Sequence, residues 1–321
     1  MSFETEIDLG DDIAPAYGGG GNGDRNTMNY NELLLDLPDG RTLQVATLGE
    51  PSGKTVLFHH GTPGSANLVK MLAPLAEDGS LFIVTTSRAG YGKSSRLEGR
   101  DVASVVSDAR AALDALGRRD YVVVGWSGGG PHALACAALD APRCRGAWSL
   151  AGVVPTGLDF DWTEGMGPEN VEEFAMAQEG GPEYEASMAA YGEAFVNARP
   201  DNVVELFGGL LSEPDRAAFE PLERREAFVE SLHQGFESGW RGFFDDDQAM
   251  MKAWGFDPTT ITVPVAVWFG DHDLMVPRTH GEWLTKSLPT ATQYFFPGDG
   301  HVTLVINHLG ELSTQIKAVH V

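Results

Sequence analysis

One serine in this 321-residue chain has a setting that suits a nucleophile. Ser127 is flanked by Gly125 and Gly129, and it lies between a strand-like run at 121–124 and a helix-prone stretch from Pro131 onward. A serine on a tight strand-to-helix turn needs very small residues two positions away on either side. The free N–H groups of the following helix would also favour negative charge near the serine. The pattern therefore predicts a nucleophilic serine rather than a glycine-rich turn with an incidental one.

A serine hydroxyl needs a general base and a group that orients that base. Among the nine histidines, His301 stands in a loop after a strand-like run and before the last predicted helix, and this loop could reach Ser127. For the orienting acid, Asp271 and Asp273 both follow the strand-like run at 265–269. The residues alone do not choose between the two aspartates.

The elements that must position these residues alternate along the chain. Strand-like runs separated by helical stretches occur at 55–58, 81–86, 121–125, 147–150, 265–269 and 293–296. This alternation predicts an α/β fold with a mostly parallel central sheet flanked by helices. A hairpin with its turn at 38–40 should begin the sheet. One helix is predicted from Asp101, as N-cap, to Gly117 just past its end, and a last helix covers 305–319.

The alternation stops between residues 153 and 254, where the chain becomes helix-prone, aromatic and acidic. Residues 153–252 hold 22 acidic and 6 basic residues, a net charge of −16 out of −24 for the chain. We therefore divide the chain into a core, 29–152 and 255–321, and an inserted helical segment, 153–254. The glycine-rich residues 1–28 predict a flexible tail. We expect solvated carboxylates at Glu172, Glu173, Glu183, Glu185 and 245–247.

Composition restricts the partners. The net charge of −24 repels polyanions, so neither nucleic acid nor an anionic membrane is expected as a partner. No run approaches the length of a membrane span, and no signal peptide is visible. Cys136 and Cys144 are too few for a disulfide framework and suit a reducing compartment. We expect a cytoplasmic protein acting on a small molecule, without a metal or other cofactor, whose oligomeric state the sequence leaves open.

Taken together, the segments resemble the α/β-hydrolase superfamily from about residue 31 to 321, and in particular its cap-bearing serine hydrolases. The order Ser, Asp, His is that of the family. Residues 270–277 match its Gly-x-x-Asp-x-x-Val-Pro pattern, which implies that Asp273 is the acid, and His301 matches its C-terminal Gly-His. Residues 60–64, His-Gly-Thr-Pro-Gly, resemble its oxyanion loop. That match implies that the backbone N–H groups of Thr62 and Gly128 bind the oxyanion.

The resemblance implies an α/β-hydrolase fold with a helical cap at 153–254, and a serine hydrolase that cleaves a small or medium carboxylic ester through an acyl-enzyme. Ser127 would attack, His301 would carry the proton and Asp273 would orient His301. One alternative is a proline iminopeptidase-like aminopeptidase whose cap carboxylates hold a substrate amine, although Thr62 departs from that group's usual loop. A lactonase, a C–C bond hydrolase or a ligand receptor on a hydrolase fold are further alternatives.

Overall fold

The computed structural model describes residues 29–320. The predicted tail, 1–28, lies outside the described residues. The fold is built on an eight-stranded sheet. Its strands are β1 (Tyr30–Asp36), β2 (Thr42–Gly49), β3 (Lys54–His59), β4 (Leu81–Thr86), β5 (Tyr121–Trp126), β6 (Cys144–Leu150), β7 (Val265–Gly270) and β8 (Ala291–Phe296).

The strands lie in the order β1-β2-β4-β3-β5-β6-β7-β8. β2 pairs antiparallel with β1 and β4, and every other neighbouring pair is parallel. The predicted mostly parallel sheet is confirmed. β1 and β2 form the predicted hairpin, with Gly40 at a φ of 85° in its turn. Glycine adopts this left-handed conformation without steric cost.

Helices flank the sheet. Before β6 they are α1 (Ala73–Ala76), α2 (Val105–Ala115) and α3 (Gly129–Leu139). Between β6 and β7 they are α4 (Pro168–Glu179), α5 (Pro182–Val196), α6 (Val203–Leu206), α7 (Glu213–Ala218), α8 (Leu222–Gly235) and α9 (Arg241–Met251). After β7 they are α10 (Arg278–Ser287), α11 (Thr303–Ile306) and α12 (Leu309–Ala318). Short 3-10 helices cover Ala66–Leu72, Gly208–Leu210 and Pro258–Thr260.

Two predicted helices differ from the structure at their ends. The helix predicted from Asp101 begins at Val105, because the residues before it form turns with hydrogen bonds three residues apart, as from the N–H of Val106 to the carbonyl of Ala103 at 3.1 Å. The carboxylate of Asp101 still accepts a hydrogen bond from the N–H of Ser104 at 2.8 Å. The last helix is divided into α11 and α12, with a break at residues 307–308. Both differences lie at boundaries, where local turn chemistry competes with apolar periodicity.

Apolar side chains are buried on both faces of the sheet, which explains the near-continuous apolar runs of β4 and β5. On one face, side chains of α2, α3 and α10 pack against the strands. On the other, the apolar cluster continues from the strands into the insertion and includes Tyr184, Phe195 and Phe236. The insertion and this face of the sheet therefore share one apolar cluster. Among residues 29–320, no helix has the length and apolar composition needed to cross a bilayer.

Candidate active site

Ser127 occupies a strained turn between β5 and α3. Its φ is 57°, which is unfavourable for an L side chain, and Ala151 is the other non-glycine residue with a positive φ among those described. A side chain at Gly125 would overlap the carbonyl group of Gly129, and one at Gly129 would overlap that of His59. Both glycines are therefore required by close backbone approaches. The turn presents Ser127 at the carboxyl edge of the sheet.

His301 and Asp273 meet at the same edge, from the loops after β8 and β7. His301 Nδ1 lies 2.8 Å from Asp273 Oδ2, and both side chains are almost fully buried. Asp273 Oδ1 accepts hydrogen bonds from the N–H groups of Met275 and Val276, each at 2.8 Å. The carboxylate is thus fixed by its own loop, and it orients the imidazole with Nδ1 protonated.

Asp271 has a different surrounding. It is exposed, and its carboxylate accepts a hydrogen bond from the N–H of Gly298 at 2.7 Å. Of the two aspartates that the residues left open, the structure therefore brings Asp273, and not Asp271, to His301. Asp299 binds Asn307 and His308, at 3.0 and 2.6 Å, and so is also turned away from the imidazole.

The environment of His301 favours its protonated form. Burial alone would lower the pKa of His301, but the charge of Asp273, its hydrogen bond and the charge of Asp215 together raise the pKa above the ordinary 6.5. Trp126 packs beside the ring with 5.4 Å between ring centroids, and its indole N–H donates to the carbonyl of His301 at 3.1 Å. Within residues 29–320 no hydrogen bond joins Ser127 to His301.

Thr62 and Gly128 lie side by side. A Cβ built on Gly128 would lie 3.4 Å from the backbone nitrogen of Thr62. Neither backbone N–H donates to a protein acceptor in the part of the chain that the structure describes. Two adjacent, unused amides next to a serine are the arrangement that an oxyanion requires.

A buried ion pair fixes the loop that carries Thr62. Arg88 donates to the carbonyl oxygens of His60 and Gly61 and to the hydroxyl oxygen of Thr62, the last at 3.0 Å. Asp246, on α9 of the insertion, pairs with Arg88 and Arg100 and accepts a hydrogen bond from the Thr62 hydroxyl at 2.8 Å. Burial would raise the pKa of Asp246, but the charges of Arg100 and Arg88 hold it well below its usual range.

The expectation that residues 245–247 are solvated is wrong. Asp245 pairs with Arg96 at 2.7 Å, and Asp246 and Asp247 are fully buried. Helix α9 packs Asp245 and Asp246 against arginines in loops of the core, whereas Asp247 meets Tyr184 of α5 within the insertion. The arginines at 88, 96 and 100 are cations that could pair with buried carboxylates, but the sequence does not show that they lie next to α9. Glu172, Glu183 and Glu185 are exposed, as expected.

A cavity of about 700 Å³, counted out to its mouth, opens beside Ser127. The core contributes Thr62, Ser127, Gly128, Met275 and Val276 to its wall. Most of the remaining wall comes from the insertion and is apolar, with Phe174, Tyr191, Phe195, Phe207, Phe243 and Met250. Such a cavity suits a small organic molecule whose apolar part lies against the insertion.

Two acidic side chains also face this cavity. Glu173 and Asp247 both line it, and Tyr184 donates a hydrogen bond to Asp247 Oδ2 at 2.8 Å. Asp247 Oδ1 is buried and has no hydrogen-bond partner among the described residues. Burial raises the pKa of Glu173 to about 8, and burial together with the charge of Glu173 raises that of Asp247. Glu173, expected on a solvated face, is half-buried and lines the cavity.

The chain is similar to known proteins in both sequence and fold. The family model described as alpha/beta hydrolase fold matches residues 54–307. A non-heme chloroperoxidase of Burkholderia pyrrocinia is 26% identical over 273 residues, which cover 81% of this chain and 89% of the relative.

Solved structures agree in fold. Epoxide hydrolase A from Mycobacterium thermoresistibile has a TM-score of 0.67 at 20% identity, covering 91% of this chain and 99% of its own. An esterase from Exiguobacterium antarcticum has a TM-score of 0.64 at 17% identity, covering 89% and 99%. At these identities the likeness shows a common fold.

Proposed function

Because the chain belongs to the alpha/beta hydrolase fold family, we propose that it is a serine hydrolase that cleaves a small or medium carboxylic ester through an acyl-enzyme intermediate. The observation that carries the proposal is the position of Ser127. It lies on a left-handed turn in the wall of a largely apolar cavity, at the sheet edge where Asp273 binds His301. An aspartate at position 127 would instead suit the relatives that open epoxides.

In the proposed reaction Ser127 Oγ attacks the ester carbonyl while His301 Nε2 takes the hydroxyl proton. The carbonyl oxygen becomes an oxyanion, which the N–H groups of Thr62 and Gly128 bind. His301 then gives the proton to the alcohol that leaves. Water repeats the sequence on the acyl-enzyme and releases the acid.

During these steps the side chain of Ser127 must move, whereas the contact between Asp273 and His301 must be kept. Ser127 is not hydrogen-bonded to His301, so its side chain has to turn towards Nε2 when substrate fills the cavity. Asp273 keeps Nδ1 protonated through its hydrogen bond and stabilises the imidazolium. No step requires a cofactor.

One observation favours a second candidate function, an aminopeptidase with the same three residues. Glu173 and Asp247 line the cavity among aromatic side chains, and Asp247 Oδ1 is buried without a hydrogen-bond partner among the described residues. A substrate ammonium group would satisfy that oxygen. Thr62, in place of the glycine usual in iminopeptidases, is the feature that favours the ester.

A substrate panel with a nucleophile variant tests both candidates. We expect turnover of short-chain p-nitrophenyl esters, little release from prolyl arylamides, and a loss of about 10⁵-fold in kcat for Ser127→Ala. A fluorophosphonate probe should label the parent and not the variant. A folded Ser127→Ala enzyme with near-parental ester hydrolysis would exclude the mechanism.

The second candidate has its own signature in the same panel. The aminopeptidase would be favoured by a kcat/KM for prolyl arylamide well above that for p-nitrophenyl butyrate. N-acetylation of the arylamide should then abolish its turnover. The name of the chloroperoxidase relative makes halogenation with peroxide a further assay to include.

A further inference from the structure

A buried carboxylate of the insertion lies against the loop that carries His301. Asp215, on α7, is fully buried and lies outside the sequence motifs at 60–64, 125–129, 270–277 and 300–301. We propose that Asp215 is a positioning residue for His301, which holds the main chain of the histidine loop and places a second negative charge near the imidazole. The proposal rests on the role of His301 as general base in the proposed function.

The contacts of Asp215 are concentrated on this loop. Its Oδ2 accepts a hydrogen bond from the N–H of His301 at 2.9 Å, and its Oδ1 accepts from those of Val302 and Thr303 at 2.8 and 3.0 Å. The hydroxyl groups of Ser212 and Thr303 donate as well, at 2.9 and 3.3 Å. Four of these five donors lie on the histidine loop, so the carboxylate fixes that loop in a single geometry.

All five donors are neutral, and the ion pairs among residues 29–320 do not include Asp215. A buried carboxylate without a cationic partner keeps its field, since neither water nor an arginine screens it. The same role could not be filled by a hydrophobic residue, because three consecutive N–H groups would then be buried without acceptors.

Gly300 supplies independent support. Its backbone has no positive φ, so its conformation does not require glycine. A Cβ at position 300 would nevertheless lie 2.5 Å from Asp215 Cγ and would overlap the Ser212 hydroxyl. The glycine before His301 is therefore needed so that Asp215 can approach, which gives the Gly-His pair a reason that lies in the insertion.

The charges around His301 agree with this role. Burial lowers the pKa of His301, but the charge and hydrogen bond of Asp273 and the charge of Asp215 together outweigh burial and raise it. Asp299, two residues before His301, is paired with His308 instead. Asp273 thus acts on the ring by contact, and Asp215 acts through space and through the main chain.

The test is a titration of His301 in the free enzyme, followed by NMR of its imidazole, in the parent and in Asp215→Asn. We expect His301 to lose its proton at a pH lower by roughly half a unit in the variant, because one of the two charges that favour the imidazolium is gone. We expect kcat to fall about tenfold, with KM changed less than twofold, because substrate contacts are untouched.

Asp140→Asn is the matched control, since Asp140 is also a buried carboxylate but binds Tyr121 and Arg110, at 2.9 and 2.8 Å, away from this edge. It should leave the titration of His301 unchanged. An unchanged titration in folded Asp215→Asn would overturn the proposal. If that variant does not fold, Gly300→Ala decides in the same way, because it displaces the Asp215 carboxylate. The NMR reading needs no hydrolysis, so it is independent of whether esters are the substrate.

Discussion

The loops at the carboxyl edge of the sheet and the helical insertion both place polar groups around one cavity, but they do so by different means. The loops rely on backbone conformation, as in the left-handed turn at Ser127 and the paired amides of Thr62 and Gly128. The insertion relies on buried carboxylates. Asp215 and Asp246 bind donors of the core, with Ser212 as a further donor to Asp215, whereas Asp247 has one oxygen without a partner among residues 29–320.

This difference separates two uses of a buried acid. A carboxylate whose oxygens are all satisfied holds neighbouring elements in place, and its loss leaves donors or cations unpaired. A carboxylate with an unfilled oxygen in a cavity carries a desolvation cost that a ligand can relieve. In this protein the acidity of the insertion serves both uses within two turns of α9.

The largest effect should come from the contact between two loops of the core. Asp273→Asn should lower kcat by about 10⁴-fold, because the amide allows the wrong imidazole tautomer and cannot stabilise the imidazolium. Steady-state kinetics on a p-nitrophenyl ester measure it. Asp271→Asn and Asp299→Asn are matched controls that should keep activity within a few-fold. A loss in Asp271→Asn as large as that in Asp273→Asn would contradict the assignment of the orienting role to Asp273.

A smaller effect should follow when the insertion releases the oxyanion loop. Asp246→Asn should lower kcat by roughly 10- to 100-fold, because Thr62 loses its anchor while its backbone N–H remains present. Unfolding should become easier by about 3 kcal/mol, since Arg88 and Arg100 are left as buried, unpaired charges. Kinetics and chemical denaturation give the two values.

The neighbouring Asp245 provides the control for that variant. It pairs with the partly exposed Arg96, so Asp245→Asn should cost only about 1 kcal/mol and leave kcat close to the parent value. Parental kcat in Asp246→Asn would show that the insertion does not position the oxyanion loop.

The smallest effect is expected for Glu173, which lines the cavity. It should change the stability of the protein and not kcat. The folded protein raises the pKa of Glu173 from 4.5 to about 8, so folding favours the protonated form. Its contribution is fully present below about pH 4.5 and is lost as pH rises through 8. Glu173→Gln should therefore equal the parent in stability at pH 4 and become progressively more stable than it as pH rises from 4.5 to 8.

Thermal unfolding of Glu173→Gln across this pH range measures the effect, and the exposed neighbour Glu172→Gln should follow the parent curve throughout. Parallel stability curves for Glu173→Gln and the parent would mean that the side chain ionises freely in the cavity. The same variant assayed with N-acetylated and free-amine substrates shows whether the acid pair recognises an amine.

Local residue types determined a large part of this protein. The glycines around Ser127 specify the turn because only they avoid overlap with Gly129 and His59, and the apolar runs of β4 and β5 specify strands buried on both faces. The placement of Asp273 next to His301 is consistent with the family pattern, since the carboxyl ends of parallel strands meet at one edge.

Only the tertiary structure decided which acidic residues of the insertion are buried and which partners they have. The sequence shows that residues 153–252 are acidic, but a carboxylate is solvated or buried according to which cation or amide lies opposite it, and those partners are distant in the chain. Asp215 meets residues 301–303 and Asp246 meets Arg88, separations of 86 to 88 and 158 positions. Periodicity and composition carry no information about such pairs, because they form only when the helices of the insertion pack against the sheet.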